Sequence, residues 1–176
     1  MKTLFTTIPK LESERLVLRE LTRNDAAELQ AFMDSPRVYR YLPTFLFEHK
    51  YQRAEDVIDR LYTECLSDSL ILGIICGDAF CGLAEFYGYR APIRKISVGY
   101  RLAESWWGKG LATETLGRMI SYLENETDIE IITASTLPDN HASAAVLQKN
   151  GFTLVVQAAP EDWGFGGMTP TDKWIR

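Results

Sequence analysis

The chain has 176 residues, of which 46% are hydrophobic, 24% charged and 11% aromatic, the make-up of one globular domain with its own core rather than a disordered or fibrous chain. Nineteen Lys and Arg against 24 Asp and Glu leave a formal net charge of −5, opposite to the basic footprint of a nucleic-acid binder. No run approaches the ~20 apolar residues that a bilayer helix requires, and Pro9 and Lys10 interrupt the start before a secretory signal could form. Neither nucleic acid nor a membrane is an expected partner, and the expected compartment is the cytoplasm. Cys65, Cys76 and Cys81 show no CxxC spacing, and His49 and His141 are remote in sequence, so neither a disulfide scaffold nor a metal site is expected. Cys76 and Cys81 flank a Gly77-Asp78 turn and could face each other across a hairpin, but free thiols in a reducing compartment are the simpler reading.

Residues 16–20 alternate apolar and charged, which predicts a first strand. Thr22 with Asp25 three residues later resembles a capping box. Ala26, Leu29, Ala31, Phe32 and Met33 then recur at helical spacing until Ser35-Pro36 ends the helix. A second helix is predicted over residues 48–65, with Ala54, Val57, Ile58, Leu61 and Tyr62 on one face. The aromatic connector between them, residues 39–47, reads first as core packing and second as a substrate-facing loop.

The period then changes to two. Residues 70–76 and 80–87 around Gly77-Asp78 predict an antiparallel hairpin, and residues 95–102 a third strand of the meander. Further strands are expected at 129–135, 153–157 and 172–176, the last two separated by a glycine-rich loop at 163–167. The expected class is α+β, one domain spanning residues 1–176, with a mainly antiparallel sheet.

Chemistry concentrates in two segments. In the first, a strand ending near Leu102 leads through Gly108-Lys109-Gly110 into an amphipathic helix that buries Leu111, Leu116, Met119, Ile120 and Leu123. Strand, glycine turn and helix N-terminus make an anion site: unpaired backbone N–H groups point outward, the helix dipole adds about half a positive charge, and missing side chains admit phosphate oxygens. Lys109 can add a full charge. A glycine loop that merely turns the chain explains the same residues. The spacing fits neither a Walker A loop nor a dinucleotide fingerprint, which excludes both nucleotide readings. In the second segment, Asn140 stands at the N-cap of a short helix and Gly151 just past its end.

Taken together, the segments resemble the GNAT superfamily of acetyl-CoA-dependent N-acetyltransferases, and within it the group containing the ribosomal-protein N-terminal acetyltransferases. The likeness is carried by Trp106-Trp107-Gly108-Lys109-Gly110-Leu111-Ala112-Thr113-Glu114, by Asn140-x-x-Ser143 and by Lys149-x-Gly151-Phe152. Leu16-Val17-Leu18-Arg19, the Asp25-bearing first helix and Val98-Gly99-Tyr100-Arg101-Leu102 fit the family's opening and central strand, so the motifs span about residues 14–176.

The resemblance implies a GNAT fold with a central sheet splayed at the cofactor site and flanking helices. It implies that acetyl-CoA is the co-substrate, with no metal. Its pyrophosphate would lie on amides from Trp107 and Gly108 through Lys109, Gly110, Leu111, Ala112 and Thr113, Ser105 standing where the family usually has Arg or Gln. Arg101 and Leu102 would pair with pantetheine like an added strand, and Asn140 would contact the cofactor. Many relatives use a tyrosine of the second motif helix as the acid, but Leu147 stands there; Ser143 matches the serine of the ribosomal-protein enzymes. For the base, Glu85 is the first candidate and Glu104 the second. Cys81 as a covalent acetyl carrier is discounted, because direct transfer to the amine needs no nucleophile. The acceptor would be a primary amine, on a ribosomal-protein N-terminus, a peptide or a small molecule, and a homodimer is compatible with the chain. The competing reading is a non-catalytic acyl-CoA sensor or interaction module of the same fold.

Overall fold

A computed structural model describes residues 7–64 and 69–176; Cys65 and the end of the predicted second helix lie outside the described residues. The strands are β1 (Leu11–Glu12), β2 (Leu16–Arg19), β3 (Leu70–Cys76), β4 (Ala79–Arg90), β5 (Lys95–Leu102), β6 (Ile131–Thr136), β7 (Thr153–Asp162) and β8 (Met168–Ile175). The helices are α1 (Ala26–Met33), α2 (Ala54–Glu64), α3 (Leu111–Glu126) and α4 (His141–Lys149). The strands form one sheet in the order β1-β2-β3-β4-β5-β6-β8-β7. Among the described residues only the β5–β6 pairing is parallel, as a crossover through α3 requires.

Side-chain alternation divides the core between the two faces of this sheet. Leu70, Leu72 and Ile74 of β3, Ala84 and Phe86 of β4, and Ile96, Val98 and Leu102 of β5 pack with Leu111, Leu116, Met119, Ile120 and Leu123 of α3 and Leu147 of α4. The opposite positions, Ile71, Ile75 and Leu83, pack with Leu29 and Phe32 of α1 and Val57, Ile58 and Leu61 of α2. Both faces of β3 are therefore covered, which explains why it reads as an unbroken apolar run.

Several elements depart from expectation. The second helix starts at Ala54 rather than at residue 48: residues Phe47–Lys50 form a 3-10 turn and Tyr51 is extended, with the Glu48 carboxylate buried instead of solvated on a helix. β4 runs on to Arg90, shortening the expected connector, and Leu11–Glu12 adds a strand too short to carry a period. The last strand, β8, slots between β6 and β7, leaving β7 as an exposed edge.

In the hairpin, Ile75 faces Phe80 and Ile74 faces Gly82, so Cys81 is the extra residue of a β-bulge. Cys76 and Cys81 are free thiols. At Gly82 the strands β4 and β5 come so close that a Cβ would overlap the Arg101 carbonyl oxygen.

Thr22 N donates to Asp25 Oδ2 at 2.7 Å, and Arg19 grips both Asp25 oxygens at 2.9 Å. Burial works to raise the Asp25 pKa, but the Arg19 and Thr22 bonds outweigh it and hold the carboxyl below its ordinary value. A depressed native pKa stabilises the fold above the unfolded value of about 3.9, and that contribution is lost as pH falls through the native value. Asp25→Asn is expected to cost about 1–3 kcal/mol in urea unfolding at pH 7, the gap closing below about pH 3.5.

Candidate active site

β5 and β6 pair only at Lys95↔Ile131, Ile96↔Ile132 and Ser97↔Thr133. Beyond that, each strand stays with its other neighbour: β5 follows β4 as far as Gly82↔Leu102, and β6 follows β8 as far as Thr136↔Asp172. The strands part, leaving the ends of β5 and β6 without a partner on their inner edges. A cavity of about 850 Å³ opens there, walled by Gly99, Tyr100 and Arg101 on one side and Ala134, Ser135 and Thr136 on the other.

The chain leaves β5 through a 3-10 turn at Glu104–Trp106 and reaches Gly108 and Gly110 at φ 71° and 77°. Both need the left-handed region that glycine enters without penalty. Gly110 is the N-cap of α3, no side chain caps this end, and the first hydrogen bond into the helix is Glu114 N to Gly110 O at 3.2 Å. The amides of Leu111, Ala112 and Thr113 therefore lack helical partners. A brace fixes the turn from behind. Arg15 donates to the Lys109 carbonyl at 2.9 Å and to Glu114 Oε2 at 2.7 Å, while the Arg15 amide and Ser13 Oγ hold Glu114 Oε1 at 2.7 and 2.8 Å. Burial opposes these bonds, yet they keep the Glu114 carboxyl below its ordinary pKa. Trp107 Nε1 donates to the Leu102 carbonyl at 2.7 Å, tying the turn to the end of β5. The Lys109 ammonium lies 4.6 Å from the Trp106 ring centre, so in this arrangement the backbone, more than Lys109, forms the anion cradle.

On the α4 side, Asn140 Oδ1 accepts from the Ser143 amide at 3.2 Å, the expected N-cap. Ser143 Oγ lies 3.2 Å from Tyr100 Oη, and both residues line the cavity. Burial pushes the Tyr100 phenol up to about 12, partly offset by its bond to Ser143. Leu147, one turn further along α4, is buried and aliphatic.

The other sheet face carries a charge cluster. Arg101 is buried and donates to Glu85 Oε2 and Glu48 Oε2, each at 3.0 Å; Tyr39 Oη donates to Glu48 Oε1 at 3.1 Å. Burial alone would lower the Arg101 pKa, but Glu48 and Glu85 outweigh it and hold the guanidinium protonated. Arg101 Nε is buried without a hydrogen-bond partner among the described residues. The expected role of Arg101 lay in its backbone; the structure shows that its side chain joins β5 to the α1–α2 connector.

Of the two candidate bases, Glu85 lines the cavity and Glu104 does not. Glu104 is held outside it by Ser35 Oγ at 3.0 Å and Arg37 at 2.6 Å. Cys81 is fully buried, donates to the Ala79 carbonyl at 3.4 Å, and is pushed up by burial to about 12, which leaves no thiolate for a covalent route. Tyr100 and Glu48 were missed from sequence. The only signal for Tyr100 was its place in the strand leading to the glycine turn.

The sequence profile described as "Acetyltransferase (GNAT) domain" matches residues 15–153. The chain is a GNAT acetyltransferase. Its curated relatives include the uncharacterized N-acetyltransferase YoaA of Bacillus subtilis (strain 168), 27% identical over 150 residues, 82% of each chain. The [ribosomal protein uS5]-alanine N-acetyltransferase of Escherichia coli (strain K12) is 33% identical over 72 residues, 40% of this chain and 37% of that one. Among solved structures, RimL, a ribosomal L7/L12 alpha-N-protein acetyltransferase in complex with coenzyme A, superposes with a TM-score of 0.80 at 20% identity, covering 96% of this chain and 97% of that one. That likeness shows the fold.

If the co-substrate of the family is acetyl-CoA, its diphosphate would lie on the turn at residues 107–113 and its pantetheine amides would pair with the open edge of β5. Gly108→Ala tests the first point. A Cβ there meets no atom within 4 Å but is forced to φ 71°, so stability is expected to fall by only about 1 kcal/mol. Acetyl-CoA affinity by calorimetry is expected to fall at least about tenfold, because the amides lose their alignment on the anion.

Proposed function

We propose that this GNAT enzyme transfers the acetyl group of acetyl-CoA to the α-amine at a polypeptide N-terminus by direct attack. The observation that carries the reading is the parted β5 and β6 beside the glycine turn: an open strand edge and an anion cradle side by side hold an extended, phosphate-bearing thioester with its acyl end in the cavity. Bound acetyl-CoA would supply the thioester carbonyl.

The chain's own groups then divide the work. Glu85 takes the amine's proton, directly or through water, from the side of the charge cluster. Ser143 faces the leaving sulfur from the α4 side. Arg101 with Glu48 and Glu85 carries one positive against two negative charges, a net negative wall suited to an ammonium-bearing acceptor. Two relatives carry protein acceptors in their names, ribosomal protein uS5 and ribosomal L7/L12, while a spermidine N-acetyltransferase from Vibrio cholerae shares the same fold, so polyamines are the acceptors to test against.

Acetyl-CoA offered with free N-terminal peptides, lysine-bearing peptides with blocked N-termini, and polyamines provides the test. Coenzyme A release and mass spectrometry are expected to show acetylation of the free N-termini. Acetylation of the polyamines alone would overturn the acceptor, and tight acetyl-CoA binding with no turnover on any amine would return the chain to an acyl-CoA-binding module. Ser143→Ala is expected to lower kcat by about 10²-fold, with acetyl-CoA affinity within about twofold of wild type.

A further inference from the structure

We propose that Tyr100 supplies, through Ser143, the proton that the departing thiol takes up; the inference rests on the acetyl-transfer reading above. Two hydroxyls from different elements, β5 and α4, meet at 3.2 Å in the wall of the cavity, where the two strands have already parted. The helix brings no phenol of its own, because Leu147 is aliphatic and buried. A serine alone is a poor source of the proton: an alkyl hydroxyl is about as weak an acid as water, so losing a proton leaves a costly alkoxide. A phenol at its back removes that cost. Half-buried Tyr100 stays protonated at neutral pH yet remains a far stronger acid than serine, its pKa being about 12.

As the new C–N bond forms, the thioester C–S bond breaks and its electron pair leaves on sulfur. Ser143 Oγ passes its proton to that sulfur, and Tyr100 Oη passes its own to Ser143 Oγ. Serine is neutral again, the thiol is complete, and the phenolate recovers a proton from water. The acceptor nitrogen gives up two protons to Glu85 and solvent, one as the ammonium is made neutral and one as the amide forms, so the count closes on one amide, one thiol and one released proton. Tyr100 acts through Ser143 and does not touch the substrate.

Tyr100→Phe keeps the ring and removes the hydroxyl. Single-turnover rates, which read the chemical step alone, are expected to fall about 10–100-fold, with the Kd of acetyl-CoA and the KM of the peptide within about twofold of wild type. The double variant Ser143→Ala/Tyr100→Phe is expected to be no slower than Ser143→Ala alone, since the two hydroxyls act as one unit. In mixtures of light and heavy water the wild-type rate is expected to follow a curved proton inventory, two protons moving together, and the Tyr100→Phe rate a straight one. A bond that merely orients Ser143 would give proton inventories of the same shape in wild type and Tyr100→Phe, and additive losses would show that the two hydroxyls act independently. Either result, or a Tyr100→Phe rate within twofold of wild type, overturns the inference while leaving the acetyltransferase reading intact; a wild-type chain that turns over no amine takes both down. Should Tyr100→Phe fold poorly, 3-fluorotyrosine at position 100 keeps the shape and strengthens the acid. An unaltered single-turnover rate there also overturns the inference.

Discussion

Everything at the site depends on the parting of β5 from β6. A buried strand edge without partners costs about 1–3 kcal/mol for each N–H or C=O left unmade, so a sheet opens only where something else holds the strands apart. Here each is held by its outer neighbour. β5 stays on β4 because Gly82 lets the two backbones close to a distance no side chain would allow, and β6 stays on β8 down to Thr136. The unmet backbone groups are a reservoir of binding energy for a ligand that carries amides in an extended line. Fold and function meet where these two strands part.

The twofold alternation of β5 then separates the proton tasks. Even positions face α3 and α4, so Tyr100 reaches Ser143 from the same face on which Ile96, Val98 and Leu102 build the core. Odd positions face the other way, so Arg101 meets Glu85 and, across the sheet, Glu48. The proposed donor for the sulfur and the proposed acceptor for the amine's proton thus lie on opposite faces of the sheet, Tyr100 on β5 and Glu85 on β4, which prevents them from neutralising each other.

Much of the frame was legible in the sequence. The bounds of β5, the glycine turn, the buried face of α3 and the Asn140 cap all follow from local rules, periodicity, glycine conformation and capping, that need no knowledge of distant residues. What escaped depends on long-range pairing. Glu48 lies 53 residues from Arg101 and looked like the start of a helix; only the folded chain shows its carboxylate turned inward. Glu104 sits beside the turn in sequence, but Arg37 and Ser35 claim it from the other side. Tyr100 was quoted as part of a motif, and its phenol gained a role only when α4 brought Ser143 to it. The insertion of β8 between β6 and β7 has no local signature at all, since pairing order is decided by which edge is free when the strand arrives.

The Arg15–Glu114 brace has a consequence beyond holding a turn. It ties the glycine turn to the start of β2 and to α3, elements of the main core, whereas the loops at the other end of the cavity meet through the Thr44 amide and the Trp163 carbonyl at 3.0 Å. On the proposed acetyl-transfer reading, cofactor use resides in one set of residues and acceptor choice in another. Mutations in the loops can drift without unmaking the enzyme, so the scaffold is evolvable at the end where amines differ and conservative at the end where the donor never changes.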